Sequence, residues 1–189
     1  MIIGFGYKKQ IGKDTGYKII KQLYPEYNVY RISFADGVKQ ELEDLFLHQF
    51  GMTKEVFDNP KTKELTRPLV QWYATEFRRN PVFGGYEDYW VDIAFKKIEE
   101  IRLNDPLAIF VITDVRFLNE ILRIRDEGGF SINVKRNTGM ENDNHSSENI
   151  LDNYLDEFDF EIENNGTLED YKNEIALVLN AMVLMYGEI

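Results

Sequence analysis

A glycine and a lysine in succession, with a hydroxyl two residues on, stand where an apolar run gives way to an amphipathic one. They are Gly12, Lys13 and Thr15 in "GYKKQIGKDTGYKII", residues 6–20. The chemistry open to such a set is phosphate binding. In the fingerprint G-x-x-x-x-G-K-[ST], backbone N–H groups at a helix N-terminus cradle phosphate oxygens while the lysine reaches the outer phosphates. The stretch departs from that pattern twice. Tyr7 stands at the first glycine position with Gly6 one place early, and Asp14 displaces the hydroxyl to Thr15. From the loop alone, a tight strand-to-helix turn without function stays open as the alternative.

Two other groups could act on the same phosphates. "ITDVR" (112–116) closes an apolar run, so Asp114 and Arg116 emerge at the carboxyl end of a strand. In open α/β sheets that is the edge where ligands bind. A buried structural ion pair is the competing reading. Arg67, Gln71 and Arg79 recur at helical spacing and can share one face. The arginines suit bidentate phosphate contacts and the glutamine suits a base edge. "EFRRN" by itself reads equally as a solvated charged face, and the pattern does not decide between Arg78 and Arg79.

The elements that must position these groups follow from hydrophobic periodicity. Five short β-rich runs stand out, "IIGFG" (2–6), "VYRISF" (29–34), "AIFVIT" (108–113), "FSINVK" (130–135) and "DFEIEN" (159–164). Helical patterns separate them, at roughly 14–23, 36–49, 62–79, 87–103, 117–127 and 167–186. Alternation of this kind predicts an α/β fold, a mostly parallel five-stranded sheet covered on both faces in three layers. The long strandless interval, about 35–107, is where an inserted helical, substrate-covering subdomain belongs. The polar stretch 137–148, "NTGMENDNHSSE" with Gly139 near its start, reads as a short lid loop.

Composition narrows the function. A chain of 189 residues, 43% hydrophobic and 29% charged, suits one globular domain with a buried core, here 1–189. Having no cysteine, it has no disulfide, thiolate nucleophile or cysteine-held metal, in keeping with a reducing cytoplasm. No signal peptide is visible, and "IALVLNAMVLMY" (175–186) is too short to span a membrane, so it reads as a final packing helix and a possible homodimer contact. The net charge of −11 argues against a duplex-binding surface, and no nucleic-acid or membrane partner is expected. A few basic side chains in one cleft can still hold a small anion.

Seven segments in one order sharpen the reading: "GKDT" (12–15), "SFADGVK" (33–39), "RPLVQWYATEFRR" (67–79), "YWV" (89–91), "ITDVRFLNE" (112–120), "NDNHSSE" (142–148) and "NNGTLEDY" (164–171). Together they resemble the bacteriophage deoxynucleoside monophosphate kinases, a P-loop family related to adenylate kinase, dephospho-CoA kinase and phosphomevalonate kinase. The resemblance covers nearly the whole chain. It accommodates Asp14, since the family's "GKDT" carries the same displaced hydroxyl, while Tyr7 remains a departure. The family usually has Gly-Thr-Glu where this chain has Ala74-Thr75-Glu76.

The resemblance implies ATP and Mg2+ as cofactors and a deoxynucleoside monophosphate (dNMP) as the small-molecule substrate. Lys13 would contact the β and γ phosphates and neutralise transition-state charge, within a nucleotide-contacting stretch Ile11, Gly12, Lys13, Asp14 and Thr15. Thr15, Asp14 and Asp114 would serve the magnesium environment, although Asp14 reads equally as a helix N-terminal acid. Arg116 would grip the transferring or acceptor phosphate. The acceptor pocket would be lined by Phe34, Asp36, Lys39, Arg67, Gln71, Glu76, Arg79 and Trp90, of which Phe34 and Trp90 read equally as core. Arg136 becomes a lid arginine, and Asn165 and Gly166 lie against the adenine; a plain turn with Thr167 as helix cap is the alternative for that last segment. His145 reads more readily as a surface residue than a catalyst, and His48 carries no role.

The acceptor phosphate, with a second pKa of about 6, is mostly dianionic at neutral pH, so the reaction needs no general base. A P-loop kinase acting on an alcohol, as dephospho-CoA kinase does, and an inactive nucleotide-binding regulator stay open. A phage origin would place the protein in the bacterial host cytoplasm.

Overall fold

The computed structural model describes residues 1–6, 8–137 and 150–186, so Tyr7, His145 and the lid-like loop beyond Asn137 lie outside the described residues. It has two compact units, one formed by Met1–Ile32 with Ile98–Ile189 and the other by Ser33–Lys97.

The first unit is built on five parallel strands: β1 (Ile2–Gly6), β2 (Val29–Ile32), β3 (Ile109–Val115), β4 (Phe130–Lys135) and β5 (Phe160–Glu163). Their order across the sheet is β2-β3-β1-β4-β5. A central parallel strand has both faces covered, so it is written as an unbroken apolar run rather than an alternating one. β1 and β3 are written that way, and every residue of β1 is buried.

Helix α1 (Lys13–Leu23) and helix α7 (Leu168–Tyr186) cover the face carrying Ile3 and Phe5, where Ile19, Ile20, Tyr171 and Ile175 complete one core cluster. The other face carries Ile2 and Gly4, and α6 (Leu118–Asp126) packs there with Ile124 against Gly4. Three layers result. Each fully buried side chain such as Phe5 or Ile20 contributes about 1.5–3 kcal/mol to holding them together.

The second unit contains α2 (Phe34–Phe50), the one-turn α3 (Glu55–Asp58), α4 (Lys63–Gln71) and the start of α5 (Tyr89–Asn104). The periodicity suggests one helix over 62–79, but α4 ends at Gln71 and the chain continues as a π-helical turn, Trp72–Phe77. Arg78 N–H there reaches the Tyr73 carbonyl, five residues back. The later residues of α5 belong to the first unit, so the strandless interval is not one body.

Candidate active site

The five parallel strands of the first unit all end at the same carboxyl edge of the sheet. Parallel register aligns them: Gly6 of β1 sits beside Val115 of β3 and Asn133 of β4, and Lys135 of β4 beside Glu163 of β5. The residues at and just past these strand ends therefore share one edge. They are the turn leading to Lys13, the pair Asp114 and Arg116, Arg136, and the segment Asn164–Gly166.

The register between β1 and β3 slips by one residue between Gly4 and Gly6. Thr113 and Asp114 thus oppose Phe5 together, which makes a bulge. A bulge bends its strand and re-aims a side chain, and bulges recur beside active sites. Here Thr113 is buried, whereas Asp114 is half-exposed at the edge.

The turn itself is held by its glycine. Gly12 caps α1 with φ 103°, in the left-handed region, and a Cβ there would meet Asn164 Nδ2 at 2.4 Å. Both constraints demand glycine. Ile11 is buried in the core cluster, and its carbonyl accepts from Asn164 Nδ2 at 2.8 Å. Its side chain therefore belongs to the core.

Lys13 begins α1 and its ammonium turns back onto the Lys8 carbonyl. Asp14 is exposed and paired with Arg31 at 3.3 Å, while Thr15 is half-buried in the first turn of α1.

Beside the bulge, Glu120 organises the turn that carries Arg116. Its carboxylate, 1% exposed, accepts the N–H of Arg116 at 2.6 Å and of Phe117 at 3.1 Å. This fixes the Arg116 backbone at the sheet edge and caps α6 from its third position.

Arg136 is exposed just past β4. The next residue, Asn137, donates its N–H to Asn165 Oδ1 at 2.8 Å. Gly166 lies against Asp170, whose carboxylate accepts the N–H and the hydroxyl of Thr167 at the start of α7. The turn-and-cap reading of "NNGT" is thus what this segment builds. Those bonds hold Asp170 below its ordinary pKa, the Thr167 hydroxyl first and its N–H second.

In the second unit, Glu41 gathers Tyr73, Arg78 and Tyr89. It accepts the Tyr73 hydroxyl at 2.8 Å and Arg78 Nε at 2.7 Å, and it also takes the Tyr89 hydroxyl. Burial, and then this bond to Glu41, push the Tyr89 phenol up to about 12. Arg78 is also stacked against the rings of Tyr73, Phe77 and Tyr89. Arg78 therefore belongs to the packing of this unit.

Lys39 pairs with Asp58 at 2.6 Å and Arg67 with Glu64 at 3.1 Å. Asp36, Gln71 and Arg79 are half-buried and Glu76 is exposed. Phe34 and Trp90 are core residues. Trp90, 2% exposed, donates its indole N–H to the Ala74 carbonyl at 2.9 Å.

Among the described residues no group of three or more His, Cys, Asp or Glu side chains is arranged to hold a metal ion. Mg2+ in phosphotransferases is held through substrate phosphates with one or two protein oxygens, and the Asp114 carboxylate and Thr15 hydroxyl fit that role chemically.

The comparisons with known proteins follow this geometry. Shikimate kinase from Aquifex aeolicus matches with a TM-score of 0.52 at 12% identity, covering 97% of this chain and 99% of that one. The Deinococcus radiodurans tunicamycin resistance protein matches with a TM-score of 0.50 at 12% identity, over 94% of each chain. Likenesses this remote define the fold, a three-layer nucleoside-monophosphate-kinase-like α/β fold.

The sequence defines more. The deoxynucleotide monophosphate kinase family profile matches residues 45–175, and the chain belongs to that family. A relative named "Putative deoxynucleotide monophosphate kinase" from Acanthamoeba polyphaga mimivirus is 28% identical over 185 residues, covering 93% of this chain and 94% of that protein.

Proposed function

We propose that the protein is an ATP-dependent deoxynucleoside monophosphate kinase, running ATP + dNMP → ADP + dNDP. One observation carries the reading beyond family membership: the parallel register sets Gly6, which leads into the glycine-lysine turn, beside Val115, which Asp114 and Arg116 flank. A turn built to hold phosphates and a carboxylate–guanidinium pair then serve the same few ångströms of sheet edge.

The N–H groups at the start of α1 would receive the β-phosphate, favoured by the helix dipole. Lys13 would leave the Lys8 carbonyl for the β and γ oxygens. Arg116, held through its backbone by Glu120, would stabilise the charge on the phosphoryl group in flight. Asp114 and Thr15 would hold Mg2+, which when bound neutralises phosphate charge and orients the chain of phosphates. Arg67, Gln71 and Arg79 are the acceptor-binding candidates of the second unit, the arginines for the monophosphate and Gln71 for the base. Catalysis of this transfer is positioning and charge stabilisation, and the attacking oxygen is already ionised at neutral pH.

The test is ADP formation from ATP and Mg2+ with dAMP, dGMP, dCMP and dTMP in turn, with dephospho-CoA and no acceptor as controls. Turnover with one or more dNMPs is expected. Lys13→Ala and Arg116→Ala should each lower kcat at least about a hundredfold, as loss of a transition-state charge partner does. Silence with every dNMP beside turnover of dephospho-CoA would sink the reading.

A further inference from the structure

We infer that Asn164 is a positioning residue of the phosphate-binding turn, assisted by Tyr171, and that it acts by tying two carbonyls of that turn backward so that the amides face the nucleotide. The inference rests on the phosphate-binding reading of residues 6–15 and concerns residues outside the glycine-lysine motif.

A peptide group that binds an anion must present its N–H outward, and its neighbouring carbonyls need partners elsewhere. At this turn those partners come from the far end of the chain. Asn164, 8% exposed, donates Nδ2–H to the Ile11 carbonyl at 2.8 Å. Tyr171, on α7, donates its hydroxyl to the Gly12 carbonyl at 3.3 Å, and the same carbonyl takes the Gly16 N–H at 2.8 Å. Asn164 is itself fixed, since its backbone N–H donates to the Lys135 carbonyl at 2.7 Å at the end of β4. The Asn164 amide also lies where a Cβ on Gly12 would fall, so the left-handed glycine and the asparagine require each other. Two polar side chains, 153 and 159 residues away along the chain, thus set the direction of two successive carbonyls.

This arrangement has a consequence for binding that simple packing would not have. Loss of the Asn164 donor frees the Ile11 carbonyl and lets its peptide turn, which weakens the nucleotide and leaves the dNMP untouched, whereas the Gly12 carbonyl, still held by the Gly16 N–H, shifts less when the Tyr171 hydroxyl is lost. Tyr171→Phe keeps the buried ring and removes only the hydroxyl. Asn164→Asp keeps the shape but sets a carboxylate oxygen against the Ile11 carbonyl.

The experiment is calorimetric binding of magnesium-ADP and, separately, of dNMP to the full chain and to Asn164→Asp, Asn164→Leu and Tyr171→Phe. Hydrogen exchange of the amides of residues 12–15 is followed alongside. The Asn164 variants should weaken magnesium-ADP about tenfold and Tyr171→Phe about threefold, the size expected for one hydrogen bond each. The dNMP affinity should stay within about twofold, because the lost contacts lie only behind the turn. Amides 12–15 should exchange faster in each variant.

Unchanged magnesium-ADP affinity in a folded Asn164 variant would overturn the inference, and so would equal losses for magnesium-ADP and dNMP. If Asn164→Asp fails to fold, Asn164→Leu carries the same decision. Wild-type protein that binds magnesium-ADP but turns over no dNMP would remove the kinase reading and leave the inference to the same comparison. Wild-type protein that binds no nucleotide would overturn both.

Discussion

Glu120 shows what one buried carboxylate does at a turn that carries a charged side chain. Its oxygen takes two consecutive N–H groups, of Arg116 and Phe117, where β3 gives way to α6. Removing it takes away one hydrogen bond to each of these half-buried donors, at roughly 1–3 kcal/mol each. Glu120→Ala should therefore cost about 3 kcal/mol in urea unfolding, whereas Glu120→Gln, which keeps an acceptor oxygen, should cost about 1 kcal/mol. If Glu120 acts on turnover through Arg116, Glu120→Gln should lower kcat in the wild type and have little further effect once Arg116 is alanine. Additive losses in that double-mutant cycle would separate the two residues. Some of this is legible in sequence. A glutamate at the third position of a helix is a capping signature, and "VRFLNE" carries it. Arg78 and Arg79 show the opposite. Adjacent and identical, they are told apart only by Glu41, about ten helical turns earlier in the chain by residue count, which claims Arg78.

At the scale of the element, α7 gives a pH prediction. Its first turn is closed by Asp170 and Thr167, and the hydrogen bonds to the carboxylate lower the Asp170 pKa in the folded state. A group depressed on folding stabilises above its unfolded pKa, about 3.9, and loses that contribution as pH falls through the lower folded value. Asp170→Asn should thus melt below wild type at pH 7, with the gap closing as the pH drops below about 4. A gap that stays constant with pH would show that the cap does not depend on ionisation. The elements themselves were largely readable, because buried parallel strands are short apolar runs and each of the five runs became a strand. The bulge at Asp114 was not, since it belongs to the pairing of β3 with β1 and not to either strand alone. The π-helical turn was hidden for a similar reason. Its sequence "WYATEF" keeps helical periodicity, and the partner that meets the Ala74 carbonyl is the indole of Trp90. Nothing local in the sequence marks Asn164 over Asn165, because its partner, Ile11, lies 153 residues away along the chain.

At the scale of the whole molecule, the net charge of −11 and a polyanionic substrate pull in opposite directions. The contacts proposed for the phosphates act over a few ångströms, but the field of the chain acts over a Debye length. That length is about 30 Å at 0.01 M salt and about 8 Å at 0.15 M. At low salt an incoming magnesium-nucleotide complex, itself anionic, meets repulsion from the chain as a whole before it reaches Lys13 or Arg116. Added salt screens that repulsion first and the short contacts last. The association rate of a fluorescent ATP analogue, followed by stopped flow, should therefore rise about twofold or more between 0.01 M and 0.15 M salt. The dissociation rate should change less, since it reports contacts made at close range. A protein that funnels anions through an extended basic surface shows the reverse, with association slowing as salt is added. A falling association rate here would mean that the sheet edge carries a local positive field strong enough to outweigh the surplus of eleven acidic charges. It would also make the arginines of that edge steering residues as well as binding ones.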